Sequence, residues 1–505
     1  MKVWLTCFLL LFVSIVLVAQ EEHDHPVPEK LGKVSFPTTC TPAVQPKFER
    51  AVALLHSFAY SPAEQAFQGV VQDDPNCAIA RWGMAMSYYH QLWEPSITPP
   101  NLAKGQAELE AAQKIEKVSD RERGYISALS AFYKDYEKVP NEVRAKAYAQ
   151  QMKEVAGANP NDNEAQIFYA LALLGTASML DKEHGNQKQA AAILEPLYAR
   201  YPDHPGIAHY LIHSYDSTEL AKNGLAAARA YSKIAPSAPH ALHMPSHIFT
   251  RLGLWDDSIS SNLAARAAAH NQNDVGEELH AMDYLVYAYL QRGRHQEAAK
   301  VIADMNAMSA LRAGDFKVGY ASSAMPVRYA VERKQWEDAA KLQPRPGAAP
   351  NVAAITQWAR AISFARSGKP ELAATEIQNL KSSEEELLTA GNKYWAGQVH
   401  VQTLEAEAWK ADAEQKYVQA VLLLRNAADQ EDAVEKLPVT PGPIVPAREQ
   451  LAELLLLQKK PSEALHEYEE SLKSAPGRRA ALEGAARCAE LLGDQRKAKQ
   501  YRAGL

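Results

Sequence analysis

The chemistry open to this chain lies in two histidine pairs. His209 and His213 close the run Pro205-Gly-Ile-Ala-His-Tyr-Leu-Ile-His213, and His243 and His247 close Pro239-His-Ala-Leu-His-Met-Pro-Ser-His247. One interval carries Pro205 onto Pro239, His209 onto His243 and His213 onto His247. Members of a pair are spaced i, i+4, which puts both rings on one face of a helix. Neutral imidazoles so placed chelate Zn or Cu, and a helix packed about 8–10 Å away can complete the shell. On a metal-site reading His209, His213, His243 and His247 are the ligand set, with a carboxylate such as Asp216 or Asp283 orienting the rings from behind. The competing reading is a polar surface whose histidines bond to one another, to Tyr210 or Ser214, or to a bound peptide. Pro245 lies between His243 and His247 and marks a helix start there, which would leave His243 in the first turn.

Other chemistries lack their residues. Tyr210 follows His209 and Met244 follows His243, where a zinc protease needs Glu after the first His of its motif. Ser246 has no Gly-x-Ser-x-Gly frame, and there is no Gly-rich loop ending in Lys-Ser/Thr to cradle a phosphate. No residue is assigned as catalytic, and binding is expected rather than turnover. A net charge of −6 argues against nucleic acid as partner, since phosphate binding needs clustered Lys and Arg. With 47% apolar and 23% charged residues, the 505-residue chain has the composition of a folded protein.

The elements that must position the histidines are helices. From Lys47 onward apolar residues recur at three- and four-residue intervals, punctuated by Pro and Gly, and no run alternates with period two. Tyr60-Ser-Pro-Ala63-Glu-Gln-Ala-Phe67, ending at Asp74-Pro75, is followed by Trp82-Gly83. Gly253-Leu-Trp255, Gly293-Arg-His295, Gln335-Trp336 and Lys369-Pro370 repeat one turn, as do Lys460-Pro461-Ser-Glu-Ala464-Leu-His-Glu-Tyr468 and Gly493-Asp-Gln495. Pro202 and Pro236 are separated by the same interval as the histidine pairs.

These residues resemble the tetratricopeptide repeat (TPR), a helix–turn–helix unit whose period, about 34 residues, is the interval between the pairs. The resemblance implies an all-α protein, a TPR-type α-α superhelix in which the hairpins stack into a right-handed solenoid. It implies that first helices line a concave groove, with His209, His213, Asp216, His240, His243, His247, His280 and Asp283 on the groove wall. It implies a scaffold or assembly factor that binds a protein or peptide ligand; a metal-binding protein built on the four paired histidines is the alternative.

The order along the chain is expected to be as follows. Residues 1–19 read as a signal peptide, with Lys2 ahead of the apolar stretch Val3 to Val18, so the protein is expected to be exported, periplasmic or secreted, with no membrane span once the signal is removed. Residues 20–46 read as a flexible lead-in and 47–391 as the N-terminal and central array, with a long loop near 93–105. Residues 392–446 read as an irregular helical connector, and 447–505 as C-terminal repeats. Cys40 and Cys77 could pair in an oxidising compartment, tying the lead-in to the first repeats. Cys488 is expected as a buried thiol.

Overall fold

The computed structural model describes residues 29–92, 97–309 and 311–505. The signal-peptide reading therefore lies outside the described residues. Among the described residues the chain forms 25 α-helices and one short 3-10 helix, from Gln45 to Arg502, and no strand. Consecutive helices pack as antiparallel pairs stacked into an α-α superhelix. The core runs along the stack, with one apolar cluster from Leu31 to Phe249, a second from Trp255 to Met325 and a third from Tyr320 to Cys488. No helix among the described residues is long and apolar enough to cross a membrane.

Local sequence sets the helix ends. Proline occupies the first turn at Pro205, Pro239, Pro245, Pro350, Pro370 and Pro461, where its missing N–H is no loss. Ser119 and Glu122 form a reciprocal capping box, and Asp274 caps the helix Val275–Gln291 by accepting from the Glu277 N–H. Two helices are interior elements. Every residue of Pro205–Tyr215 is buried, and so is every residue from Glu277 to Gln291. A helix apolar around its circumference belongs inside the molecule, and these two carry the histidines there.

Three boundaries differ from the sequence reading. The described part of the lead-in is not loose: Phe36 is fully buried against Phe48, Trp82 and Tyr125, and Thr39 and Thr41 bond to Glu122 and Asp74. One aromatic with fixed backbone partners outweighs a proline-rich composition. The long loop ends early, because Pro99 opens a helix that runs to Gln113. The stretch 392–446 holds two regular helices, Lys393–Ala413 and Tyr417–Asp432, followed by an irregular segment over 433–446. These helices are 21 and 16 residues long, so the repeat register fails while the pairing persists. Cys40 and Cys77 form a disulfide, and Cys488 is a buried free thiol.

The superhelix closes on itself. The Trp255 indole N–H donates to the Gly477 carbonyl at 2.9 Å, the Arg479 N–H donates to Gln291 Oε1 at 3.0 Å, and Arg478 reaches the Tyr287 hydroxyl at 3.2 Å. The segment 433–446 lies across the hollow between the two limbs. It is pinned by Arg328, whose guanidinium donates to the Gly442, Pro443 and Ile444 carbonyls, and by the Tyr394 hydroxyl, which accepts from the Leu437 N–H at 3.0 Å.

Candidate metal centre

The structure brings seven of the eight residues expected on the groove wall together and encloses them, while Asp283, also buried, orients no ring and has Arg328 as its charged neighbour. His209 is 0% exposed and His213, the most open of the six histidines, only 9%; the Asp216 side chain is 4% exposed. An open groove wall at these positions is thus replaced by an interior, with Lys436 and Pro438 of the 433–446 segment reaching Asp216 and Tyr284.

His209 and His213 project from Pro205–Tyr215 with their Nε2 atoms 3.1 Å apart. His243 ends the helix Pro239–His243 and His247 lies in the next, Pro245–Arg251. Met244 between them keeps right-handed helical angles, so the proline break leaves the pair aligned, with Nε2 atoms 3.0 Å apart. His240 joins the first pair and His280 the second. Within each three-histidine set the ligand atoms lie within 4.8 Å of one another.

The outer ring nitrogens decide what the inner ones can be. His209 Nδ1–H donates to the His56 carbonyl at 2.6 Å. His243 Nδ1–H donates to Asn262 Oδ1 at 2.6 Å, and the Asn262 amide nitrogen is already donating to the Ser258 carbonyl at 2.8 Å. His247 Nδ1–H donates to Asp216 Oδ2 at 2.9 Å. In the neutral rings of His243 and His247 both Nε2 atoms then carry lone pairs, and these point at each other at hydrogen-bond distance. Only a cation or a shared proton can occupy that gap. Burial lowers the proton affinity of His243 and His247, as it does that of His209, His213 and His280. A metal ion meets both conditions, with the acceptors behind the rings holding the ligand tautomer.

Charge around the rings is arranged in pairs. Burial pushes the Asp216 carboxyl up, but Lys436, Arg251 and His247 outweigh it and hold it well below the usual range. Lys436 contacts Asp216 at 3.2 Å, and burial brings its ammonium down to about 8. Glu277 meets Lys317 and lies 3.3 Å from His240 Nδ1; Lys317 and His240 outweigh its burial and keep it ionised. Asp283 is buried with Oδ1 lacking a hydrogen-bond partner among the described residues, and burial lifts its carboxyl to about 6.

Sequence reasoning missed several supporting groups. Phe58 holds a φ of 53°, a left-handed backbone seldom adopted by a bulky residue, and its ring centroid lies 4.4 Å from that of His209 and 5.4 Å from that of His240. Tyr284 covers the second set, its ring 4.7 Å from that of His243 and its hydroxyl 3.5 Å from His247 Nε2. Asn262, Arg251 and Lys436 had no signal in local spacing. Gly206 did have a purpose: a Cβ there would lie 2.5 Å from His56 Nδ1, so glycine lets the His209 helix approach. A cavity of about 220 Å³, bordered by Gln91, His184, His213, Asp216, Tyr394 and Lys436, adjoins the first set.

His56, Glu164 and His204 form a third cluster that is already complete. Glu164 accepts from His56 Nε2–H and from His204 Nε2–H, each at 2.8 Å. His204 Nδ1 accepts the Ile207 N–H, and His56 Nδ1 faces the Tyr210 hydroxyl. No lone pair is left aimed at a common point, so this triad is a structural buttress under His209.

No known family model matches the chain, and no curated protein matches it. Among solved structures it is similar to the human IFIT1 dimer with PPP-AAAA, at 13% identity over 90% of this chain and 88% of that one, with a TM-score of 0.39. The yeast Tom70 structure gives 12% identity over 88% of each chain and a TM-score of 0.31. The P58(IPK) TPR domain gives 13% identity over 90% of this chain and 99% of that one, with a TM-score of 0.23. The likeness is loose, and no ligand or partner is carried over from these proteins.

Proposed function

We propose that this protein is a metal-binding protein whose closed helical superhelix holds a transition-metal centre in its interior. The observation that carries this reading is the pair His243 and His247, with Nε2 atoms 3.0 Å apart and both Nδ1 atoms committed to acceptors. Imidazole-only donor sets suit Zn, Cu, Ni or Fe. The disulfide Cys40–Cys77 and the apolar stretch Val3 to Val18 support an exported, oxidising setting for this role.

The test is elemental analysis of the full chain, purified without added metal and then titrated with Zn and Cu, beside His243→Gln/His247→Gln. The native protein is expected to retain or take up metal and to melt higher when loaded, as binding to the folded state alone requires. A native protein that gains neither metal nor thermal stability removes the reading.

A scaffold role is the second reading, and exposed apolar side chains favour it. Val418 is 77% and Leu422 62% exposed on the helix Tyr417–Asp432. A protein or peptide ligand would engage such an outer face, since the histidines are enclosed. Val418→Glu/Leu422→Glu separates the readings: a scaffold loses its co-purifying protein with metal content unchanged, and retention of the same protein by the variant counts against this face.

A further inference from the structure

The two three-histidine sets are copies of one arrangement. Each has an i, i+4 pair and a third ring from the next unit, His240 for the first pair and His280 for the second. The sets touch. The His213 and His247 ring centroids are 6.1 Å apart, and those of His240 and His243 are 6.0 Å apart. Ions held by the two sets would be neighbours, and two metals that share one small ligand lie about 3.5–4 Å apart.

Charge selects the kind of ion. All six donors are imidazoles, which ligate as neutral groups, and neither set includes a carboxylate or thiolate among the described residues. The nearby carboxylates Asp216 and Glu277 already face Arg251, Lys436 and Lys317. Two dications would bring four positive charges into this interior, where among the described residues no carboxylate outside those charge pairs is bonded to either set, and buried uncompensated charge is costly. Two monovalent ions halve that burden. Cu(I) is the monovalent transition ion that accepts three imidazoles, and a three-coordinate shell leaves each ion open toward the other. The walls are Phe58 and Tyr284, and a cavity large enough for a small molecule borders His213.

We infer that the two sets hold a pair of copper ions that binds dioxygen reversibly between them, an inference that rests on the metal-binding reading above. The step balances without a further reactant. Each Cu(I) gives one electron, the O–O double bond becomes the single bond of peroxide, and the dianion bridges two Cu(II) ions. No proton is taken up, and release of O2 returns both electrons. The peroxide charge also offsets the two charges that oxidation adds, so the centre keeps its net charge.

The test loads metal-free full-length protein with Cu(I) under argon, then admits oxygen. Expected are two copper ions per chain, uptake of one O2 per two coppers, a new near-ultraviolet charge-transfer band that fades on return to argon, and no paramagnetic resonance signal from the oxidised pair. His280→Gln should hold one copper, take up no O2 and give a visible resonance signal on oxidation. His240→Gln is the companion if that variant loses its helical circular dichroism, and if both do, the wild-type stoichiometry decides. One copper per chain, or two with a full resonance signal and no O2-dependent band, overturns the inference while leaving a metal-binding protein. Binding of neither copper nor zinc overturns the metal reading itself.

Discussion

At the scale of single residues, the centre is built from groups that the interior would reject if they stood alone, and two carboxylates show how differently that can be resolved. Asp283 keeps a bare Oδ1 in the interior, so burial raises its carboxyl to about 6, with Arg328 only partly offsetting the effect. In the unfolded chain the same group titrates near 3.9. The folded state therefore binds more protons between those values; the stability contributed by the neutral acid is complete below about pH 4 and is lost as pH rises through 6. Asp283→Asn in metal-free protein should then be stabilising by roughly 1–3 kcal/mol at pH 7.5 and nearly neutral at pH 4, read from urea unfolding at both values. An equal effect at the two pH values would mean that the carboxylate is solvated or paired. Glu164 is the opposite case: His204 and His56 outweigh its burial and hold it at about 2, so it stays ionised through the neutral range. Glu164→Gln removes one of its two acceptors and is expected to cost about 3 kcal/mol, measured by chemical denaturation.

At the scale of elements, the site depends on two interior helices, one broken helix and the segment that covers them. Several elements hold that cover, through Arg328, Tyr394 and the Lys436–Asp216 pair among others. Tyr394→Phe removes the oxygen that accepts the Leu437 N–H and leaves a buried donor unpaired, a loss of about 1 kcal/mol. Amide exchange over 434–446, followed by mass spectrometry, should accelerate about fivefold, and unchanged protection would show that Arg328, Lys436 and the segment's other contacts hold it without Tyr394. The paired histidines were legible in the sequence because helical periodicity is local: an i, i+4 step stays on one face, and one repeat further on the same face returns. His240 and His280 were placed beside the pairs by the same register, though only as groove residues. What remained hidden was set by distant contacts. Lys436 reaches Asp216 across 220 positions, and Asn262 meets His243 from another helix, so no spacing rule marks either. The stretch holding Lys393–Ala413 and Tyr417–Asp432 was read as helical but irregular for a different reason: their lengths break the repeat period that identified the others.

At the scale of the whole molecule, a stack of helix pairs has only nearest-neighbour interfaces, so its stability is normally a sum over units. Closure changes that. Arg478 is fully buried, donates to both Glu449 oxygens at 2.8 and 3.1 Å and reaches Glu332 at 3.3 Å and the Tyr287 hydroxyl at 3.2 Å. Through Tyr287 it ties the C-terminal repeats to the helix carrying His280, across 191 positions of sequence. Arg478→Met would leave Glu449 and Glu332 buried without their main cation, a loss of about 3–5 kcal/mol. Because the loss falls at the junction between limbs, it should uncouple them and leave each unit intact. Calorimetry is then expected to resolve one unfolding transition for the native chain and two for the variant, the earlier belonging to the C-terminal repeats. The interior histidines should also become accessible, with bound metal passing to an external chelator faster than in the native protein. A single transition shifted downward, with metal loss unchanged, would mean that the limbs are held by their apolar contacts and that the buried guanidinium is a local feature of the last repeats.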